Sequence, residues 1–282
     1  FSFLRGQMDA RAGAGLSPCF ALEGTVDRQG VIVCGCDTRA NLLRLTQPDE
    51  AAHALRATRE RWLGAVSRLW MTTPDADMNR YLGGWAAYQA LCCRLLARTS
   101  LYQNAGAFGF RDQLQDAVNL LLLDSAPARE QIGRACAHQF AAGDVCHWWH
   151  EGAGTEHGVR TRISDDLLWL PWAVCEYVEK TGDAEILSAE YPFLAGEELE
   201  EAEHDRYQPL EAGAETGTVL EHCRRALMRV LARGVGAHGL LLIGTGDWND
   251  AFDRVGAQGR GESVWLTWFF AVTARKFAAL VG

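Results

Sequence analysis

GVRTRISDDLLWLPWAVCEYVEKTGD, residues 158–183, is the stretch on which the fold turns. Ser164 or Asp165 offers a helix N-cap, and Asp165 and Asp166 put negative charge where a helix dipole favours it. The run from Leu167 to Leu170 then opens a helix expected over 165–181. Capping explains one of these polar residues but not the two arginines upstream, Arg160 and Arg162. Arginine and aspartate together supply donors and acceptors that fix sugar hydroxyls in bidentate fashion.

Helical spacing recurs on both sides, and helices are expected near 79–99, 112–123, 127–140, 217–234 and 262–280. Ala51, Leu55, Trp62, Val66 and Leu69 mark an amphipathic helix over 49–70, which Thr72-Thr73-Pro74-Asp75 ends. Segments 104–111, 143–163 and 236–261 read as long loops that hold most of the glycine, aromatic and charged residues. The stretch 195–216, with Glu197, Glu198, Glu200, Glu201 and Glu203, reads as a solvated acidic loop. Residues 1–46 look β-like, with short runs at Cys19–Leu22 and Val31–Cys34, as the last strands of a sheet begun upstream. Helical hairpins in series, with no internal repeat, suggest a toroid around a central pocket.

The chain has 282 residues, 48% hydrophobic and 22% charged, which suits an ordinary globular protein. A net charge of -9 disfavours nucleic acid and anionic membranes as main partners. Any anionic substrate then needs a locally basic pocket. Nine scattered cysteines fit reduced, buried thiols rather than a disulfide framework, and with no signal pattern the expected location is cytoplasmic. The apolar run Trp265–Gly282, interrupted by Arg275 and Lys276, reads as too short for a membrane span. Ten tryptophans suit sugar stacking, and they fill helical cores equally well.

Gly244-Thr245-Gly246-Asp247-Trp248-Asn249-Asp250 packs two carboxylates, an indole and an amide into consecutive positions. A carboxyl beside an indole is desolvated and inclined to keep its proton, which suits Asp250 to acid catalysis. A loop of turn-forming residues is the bland alternative. Arg111 and Asp112 open a helix that carries Asp116 one turn on, a pattern capping also explains. Cys146, His147 and His150 invite a zinc reading, but no further ligands stand at the required spacing, so no metal is expected. Trp149 in that stretch reads as the wall of a sugar subsite or as core. Glu262, before the last helix, reads as part of a cap or as a functional carboxylate.

GFRDQLQD (109–116), GDVCHWWH (143–150), the stretch 158–183, GTGDWND (244–250) and RGESVWL (260–266) together resemble the glycoside phosphorylases of glycoside hydrolase family 94, formerly glycosyltransferase family 36. The segments stand in that family's order, and Asp112–Asp116 is most similar to the β-1,2-glucan branch, which includes β-1,2-oligoglucan phosphorylases and the C-terminal region of cyclic β-1,2-glucan synthases. The resemblance implies a mainly α fold: an incomplete (α/α)6 barrel over 77–282, a helical linker over 48–76, and the end of an N-terminal β-sandwich over 1–47. It implies Asp250 as the general acid, and Arg160, Asp166 and Trp248 as donor-sugar ligands. Arg111, Asp112, Trp149, Asp247 and Glu262 are secondary candidates.

The reaction so implied is inverting phosphorolysis of a β-glucan. Asp250 protonates the glycosidic oxygen, inorganic phosphate attacks the anomeric carbon from the opposite face, and α-glucose 1-phosphate forms. One carboxyl suffices because phosphate needs no activating base, whereas inverting hydrolysis uses two. Phosphate is then a co-substrate, and no cofactor is expected. By the same resemblance the family's phosphate and acceptor residues lie beyond Gly282, so the chain alone is expected to be inactive and poorly stable. Ala251-Phe252 stands where relatives carry Gly-Met. An inverting hydrolase of the same fold and a non-catalytic carbohydrate-binding module remain the alternatives. The oligomeric state is open, a homodimer being one arrangement allowed.

Overall fold

The structure is a computed structural model that describes residues 7–12, 18–23, 31–33, 37–96, 107–150, 155–200 and 202–282. The chain divides into two compact units between Gly64 and Ala65. The first holds the antiparallel pair β1 (Gln7–Ala12) and β2 (Pro18–Glu23), then α1 (Arg39–Leu45) and most of α2 (Pro48–Val66). Thr38 caps α1 by accepting from the Asn41 N–H. Proline at the first position of α2, with Asp49 and Glu50 behind it, is what a helix N-terminus favours. Two expectations shift here: Val31–Val33 lies outside any strand, and Arg39–Leu45 is helical. Cys34 lies outside the described residues.

The second unit is about half helical, with a small antiparallel sheet. A broken helix opens it: α3 (Ala76–Arg80), α4 (Ala86–Gln89) and wide turns that carry it to Leu96. β3 (Ala107–Gly109) runs into α5 (Phe110–Asn119), followed by α6 (Ala126–Cys136), β4 (Cys146–His150), β5 (Glu156–Thr161) and α7 (Asp166–Thr181). β6 (Glu190–Leu194), β7 (Asp205–Leu210), β8 (Ala212–Thr218), α8 (Val219–Ala232) and α9 (Val264–Val281) complete it. The helices fall where the sequence periodicity places them.

α7 is the central element, packing against α5, α6, α8 and α9. Leu167, Leu168, Leu170, Ala173 and Val174 are buried, so its apolar residues occupy more than one face. α8 presents Val219, Cys223, Ala226 and Val230 at helical spacing, and α9 adds Leu266, Phe269, Thr273 and Phe277. By length and composition α9 is apolar enough to cross a membrane, contrary to the sequence expectation. Its Lys276 nonetheless hydrogen-bonds Glu176 and Glu179 of α7 at 2.5 and 2.6 Å.

The sheet orders its strands β3-β4-β5-β7, and β6 pairs with β8, all antiparallel. This corrects the sequence reading of 143–163 and 195–216 as loops, and of 104–111, where 107–111 hold β3 and the start of α5 and 104–106 lie outside the described residues. β4 and β5 close tightly because Gly158 has no side chain, a Cβ there colliding with Cys146 Sγ. β7 and β8 keep most side chains in solvent, so their composition is that of a loop although their backbones are paired.

Candidate active site

Arg111, in the first turn of α5, is the hub of a buried charge cluster. Its Nη1 donates to Asp165 Oδ1 at 3.2 Å and to the Asp247 carbonyl at 3.1 Å. Its Nη2 donates to Asp250 Oδ1 at 2.7 Å, and Asp166 Oδ1 lies 3.7 Å from Nη1. One planar fork thus joins α5, the start of α7 and the Gly244–Asp250 loop. Burial disfavours the Arg111 cation, but Asp166, Asp165 and Asp250 outweigh that and raise its pKa above the ordinary value.

Asp165 occupies the N-cap position of α7 but makes no side-chain capping bond. Its carboxylate instead accepts from Arg111 and, at 3.0 Å, from Trp169 Nε1. Burial and the neighbouring Asp166 push its pKa up. Asp166 Oδ2 pairs with His147 Nδ1 at 2.7 Å. Its Oδ1 is buried and has no hydrogen-bond partner among the described residues.

His147 reaches this cluster because β4 carries a register shift against β5 between Cys146 and Trp148, which re-aims the intervening side chain. Burial opposes its charge, yet Asp166, and then Asp250, overcome this and raise its pKa to about 9. The ring is therefore an imidazolium at neutral pH, with both nitrogens donors. Nδ1–H serves Asp166, while Nε2 faces Asp250 Oδ2 at 3.7 Å, within ion-pair range but too far for a hydrogen bond.

The Gly244–Asp250 loop is clamped on two sides. The Gly246 carbonyl accepts both the N–H and the Oγ–H of Ser164, each at 2.9 Å, and Gly244 bridges Ile163 with φ 67°, a left-handed conformation suited to glycine. Asp247 accepts from Ser263 Oγ at 2.6 Å and from the Asn249 N–H at 3.1 Å. Beyond these clamps Trp248 and Asp250 project outward, the Trp248 residue 57% and the Asp250 side chain 50% exposed. The desolvation of Asp250 by an adjacent indole, expected from sequence, is absent here.

Of the sequence candidates, Asp166, Asp250 and Arg111 meet in this cluster, Trp248 stands on the same loop, and Asp247 anchors that loop. Arg160 stands apart. It is fully buried, Nε and Nη2 donate to Asp144 at 2.7 and 2.8 Å, and Nη1 donates to the Glu197 and Gly196 carbonyls. Phe140 lies under its guanidinium, so Arg160 turns no free face to a ligand. Trp149 is fully buried between Phe108 and His138, as core rather than subsite wall. Asp112 is exposed on α5. Glu262 accepts from His238 Nδ1 and from the His238 and Leu240 N–H groups, which ties a turn rather than joining the cluster.

His147 and Asp165 are the residues that sequence reasoning underrated. The signals were a histidine before two tryptophans and a doubled aspartate at a helix start, read as zinc-like and as capping. Among the described residues, no group of three or more His, Cys, Asp or Glu side chains is placed to hold a metal ion.

The chain matches known proteins along most of its length. It is 44% identical over 274 residues, 96% of its length, to the cyclic beta-(1,2)-glucan synthase NdvB of Rhizobium meliloti (strain 1021). It is 28% identical over 262 residues, 89% of its length, to the 3-O-beta-D-glucopyranosyl-beta-D-glucuronide phosphorylase of Paenibacillus borealis. To the 1,2-beta-oligoglucan phosphorylase of Listeria innocua serovar 6a it is 28% identical over 200 residues, 70% of the chain. The chain spans 10%, 31% and 17% of these relatives' lengths. The glycosyl hydrolase 94 superfamily catalytic domain matches residues 61–281, and the chain belongs to that superfamily.

Proposed function

We propose that this chain carries the donor-sugar side of an inverting glycoside phosphorylase centre, set in part of an (α/α)6 barrel and acting on β-1,2-glucan. The single observation behind this reading is the buried Asp166 Oδ1, which accepts no hydrogen bond among the described residues and shares Arg111 with the outward-facing Asp250. A buried acceptor left unpaired is costly, and a sugar hydroxyl is the donor it lacks. Trp248, exposed on the same loop, offers an aromatic face for the ring. The β-1,2 linkage rests on the named relatives, a glucan synthase and an oligoglucan phosphorylase.

In this reading Asp250 carries the transferable proton on Oδ2, since Oδ1 already accepts from Arg111. The proton passes to the glycosidic oxygen as the C1–O bond breaks and phosphate bonds to C1 from the opposite face. The products are α-glucose 1-phosphate and the shortened glucan. Arg111 and the His147 imidazolium flank the carboxylate that remains, and oppose its new charge. Arg160 acts one step back, holding β5 to Asp144 instead of touching sugar.

The test is to incubate the full protein carrying this chain with β-1,2-, β-1,3- and β-1,4-gluco-oligosaccharides, with and without phosphate. The expected result is α-glucose 1-phosphate from the β-1,2 substrate only when phosphate is present. Free glucose released without phosphate would make the centre a hydrolase, and binding without turnover would make it a binding module.

A further inference from the structure

We propose that a second site, the cavity walled by Arg162, Arg229 and Arg233, binds a phosphate-bearing anion. The cavity is about 300 Å³ and also touches Asp144, Gly244 and Gly256, but none of Arg111, His147, Asp166 or Asp250 lines it. In a chain of net charge -9, three guanidinium groups around one cavity run against the overall balance.

These cations are placed mostly by neutral groups. Arg162 donates to the backbone carbonyls of Leu199, Glu200 and Glu203 at 2.9, 2.6 and 2.8 Å. Arg233 donates to the carbonyls of Arg162 and Ile163 at 2.6 and 3.3 Å. Among the described residues neither has a carboxylate within ion-pair distance, although an acidic segment passes directly over Arg162. The Glu203 carboxylate goes to Arg206 instead, and Glu198 to Arg229. Asp144 is the one carboxylate in the lining, and both its oxygens are occupied by Arg160. Among the described residues the wall therefore holds three guanidinium groups and, on Arg162 and Arg233, no direct carboxylate partner.

Arg233 registers the crowding. Desolvation, reinforced by Arg229 and Arg162, outweighs the help of Asp144 and draws its pKa down to about 10. A bound dianion removes this penalty, and guanidinium forks match phosphate oxygens in geometry. Much of the remaining lining is glycine backbone: a Cβ on Gly244 would collide with Arg233 Nη1 and one on Gly256 with the Gly244 carbonyl, so these turns pack closely without side chains. The volume exceeds that of a single phosphate, so orthophosphate and a hexose phosphate both fit the chemistry.

The test titrates the full protein carrying this chain with orthophosphate, sulfate, α-glucose 1-phosphate and, as neutral control, glucose. Saturable anion binding is expected, weakened about tenfold or more by Arg229→Gln and further by Arg162→Gln/Arg229→Gln, and unchanged by Asp250→Asn. A fold-independent arm modifies wild-type arginines with phenylglyoxal and reads protection by phosphate at Arg162, Arg229 and Arg233 by peptide mass spectrometry. Equal binding of orthophosphate and the ester assigns the site to the free anion, and tighter ester binding assigns it to a sugar phosphate; either supports the site. No saturable binding, binding that Arg229→Gln leaves intact (and so belongs to the catalytic centre), or no anion protection of these three arginines overturns it. Neither readout uses turnover, so this outcome is separate from the catalytic reading.

Discussion

His147 and Asp166 are joined at 2.7 Å, and the bond makes the histidine a permanent cation at neutral pH. Its pKa is raised in the folded chain to about 9 from the ordinary 6.5. A raised pKa means that its stabilising contribution is complete below about pH 6.5 and disappears as pH rises through about 9. The contribution is on the order of 3 kcal/mol at most, from 1.36 kcal/mol for each pKa unit. Denaturant unfolding of wild type and His147→Gln should therefore differ most at pH 6 and converge above pH 9. Turnover by the full protein should show an alkaline limb near pH 9 that the variant lacks.

Asp250→Asn should lower kcat by about 10²–10⁴ while moving KM only a few-fold. Asn249, the Asp247 clasp and the Ser164 clamp are untouched, and the half-exposed charge lost opposite Arg111 should shift unfolding by no more than about 1 kcal/mol. Steady-state kinetics on β-1,2-gluco-oligosaccharides checks it.

Arg111→Met should be far more damaging to the fold than Asp250→Asn. It strands the buried Asp165 without its cation and leaves buried Asp166 only His147, at a cost of about 3–5 kcal/mol. Chemical denaturation measures the loss. Arg111→Lys should recover only part, since an ammonium lacks the fork that reaches Asp250 and the Asp247 carbonyl together.

Arg160→Met separates a structural arginine from a sugar-binding one. Breaking its bidentate pair with Asp144 should cost about 3–5 kcal/mol. The molecules that remain folded should bind donor sugar with unchanged affinity, measured by calorimetry at low temperature. A large loss of sugar affinity in the folded fraction would return Arg160 to the ligand set.

Ser263→Ala removes two bonds at once, the donor to Asp247 and the acceptor for the Leu266 N–H that caps α9. A loss of about 1–2 kcal/mol is expected, read in thermal unfolding. Because Asp247 anchors the loop bearing Trp248, sugar affinity should also fall.

The helices from α5 onward were legible because each buries a stripe at helical spacing, as Val219, Cys223, Ala226 and Val230 do on α8, whereas α1, which buries nothing, was not. β4 and β5 were not, since a β-bulge, a glycine and a buried arginine break the alternation by which a strand is read. In the candidate site, the loop with Asp250 stood out by its composition. Its partner Arg111 lies 139 residues away, and no local pattern says which arginine crosses that distance. Arg160 carries the same charge as Arg111 but stands on β5 where Asp144 and Phe140 enclose it.

Ser164 grips the Gly246 carbonyl with both its backbone N–H and its hydroxyl. The stretch that supplies Asp166 and the stretch that supplies Asp250 are thus geared together, and displacement of one is transmitted to the other. For engineering, segments 158–166 and 244–250 form a single exchangeable cassette. Grafting both from a relative of different sugar preference should transplant that preference, whereas grafting either alone should leave the acid misaligned with the ring it must protonate.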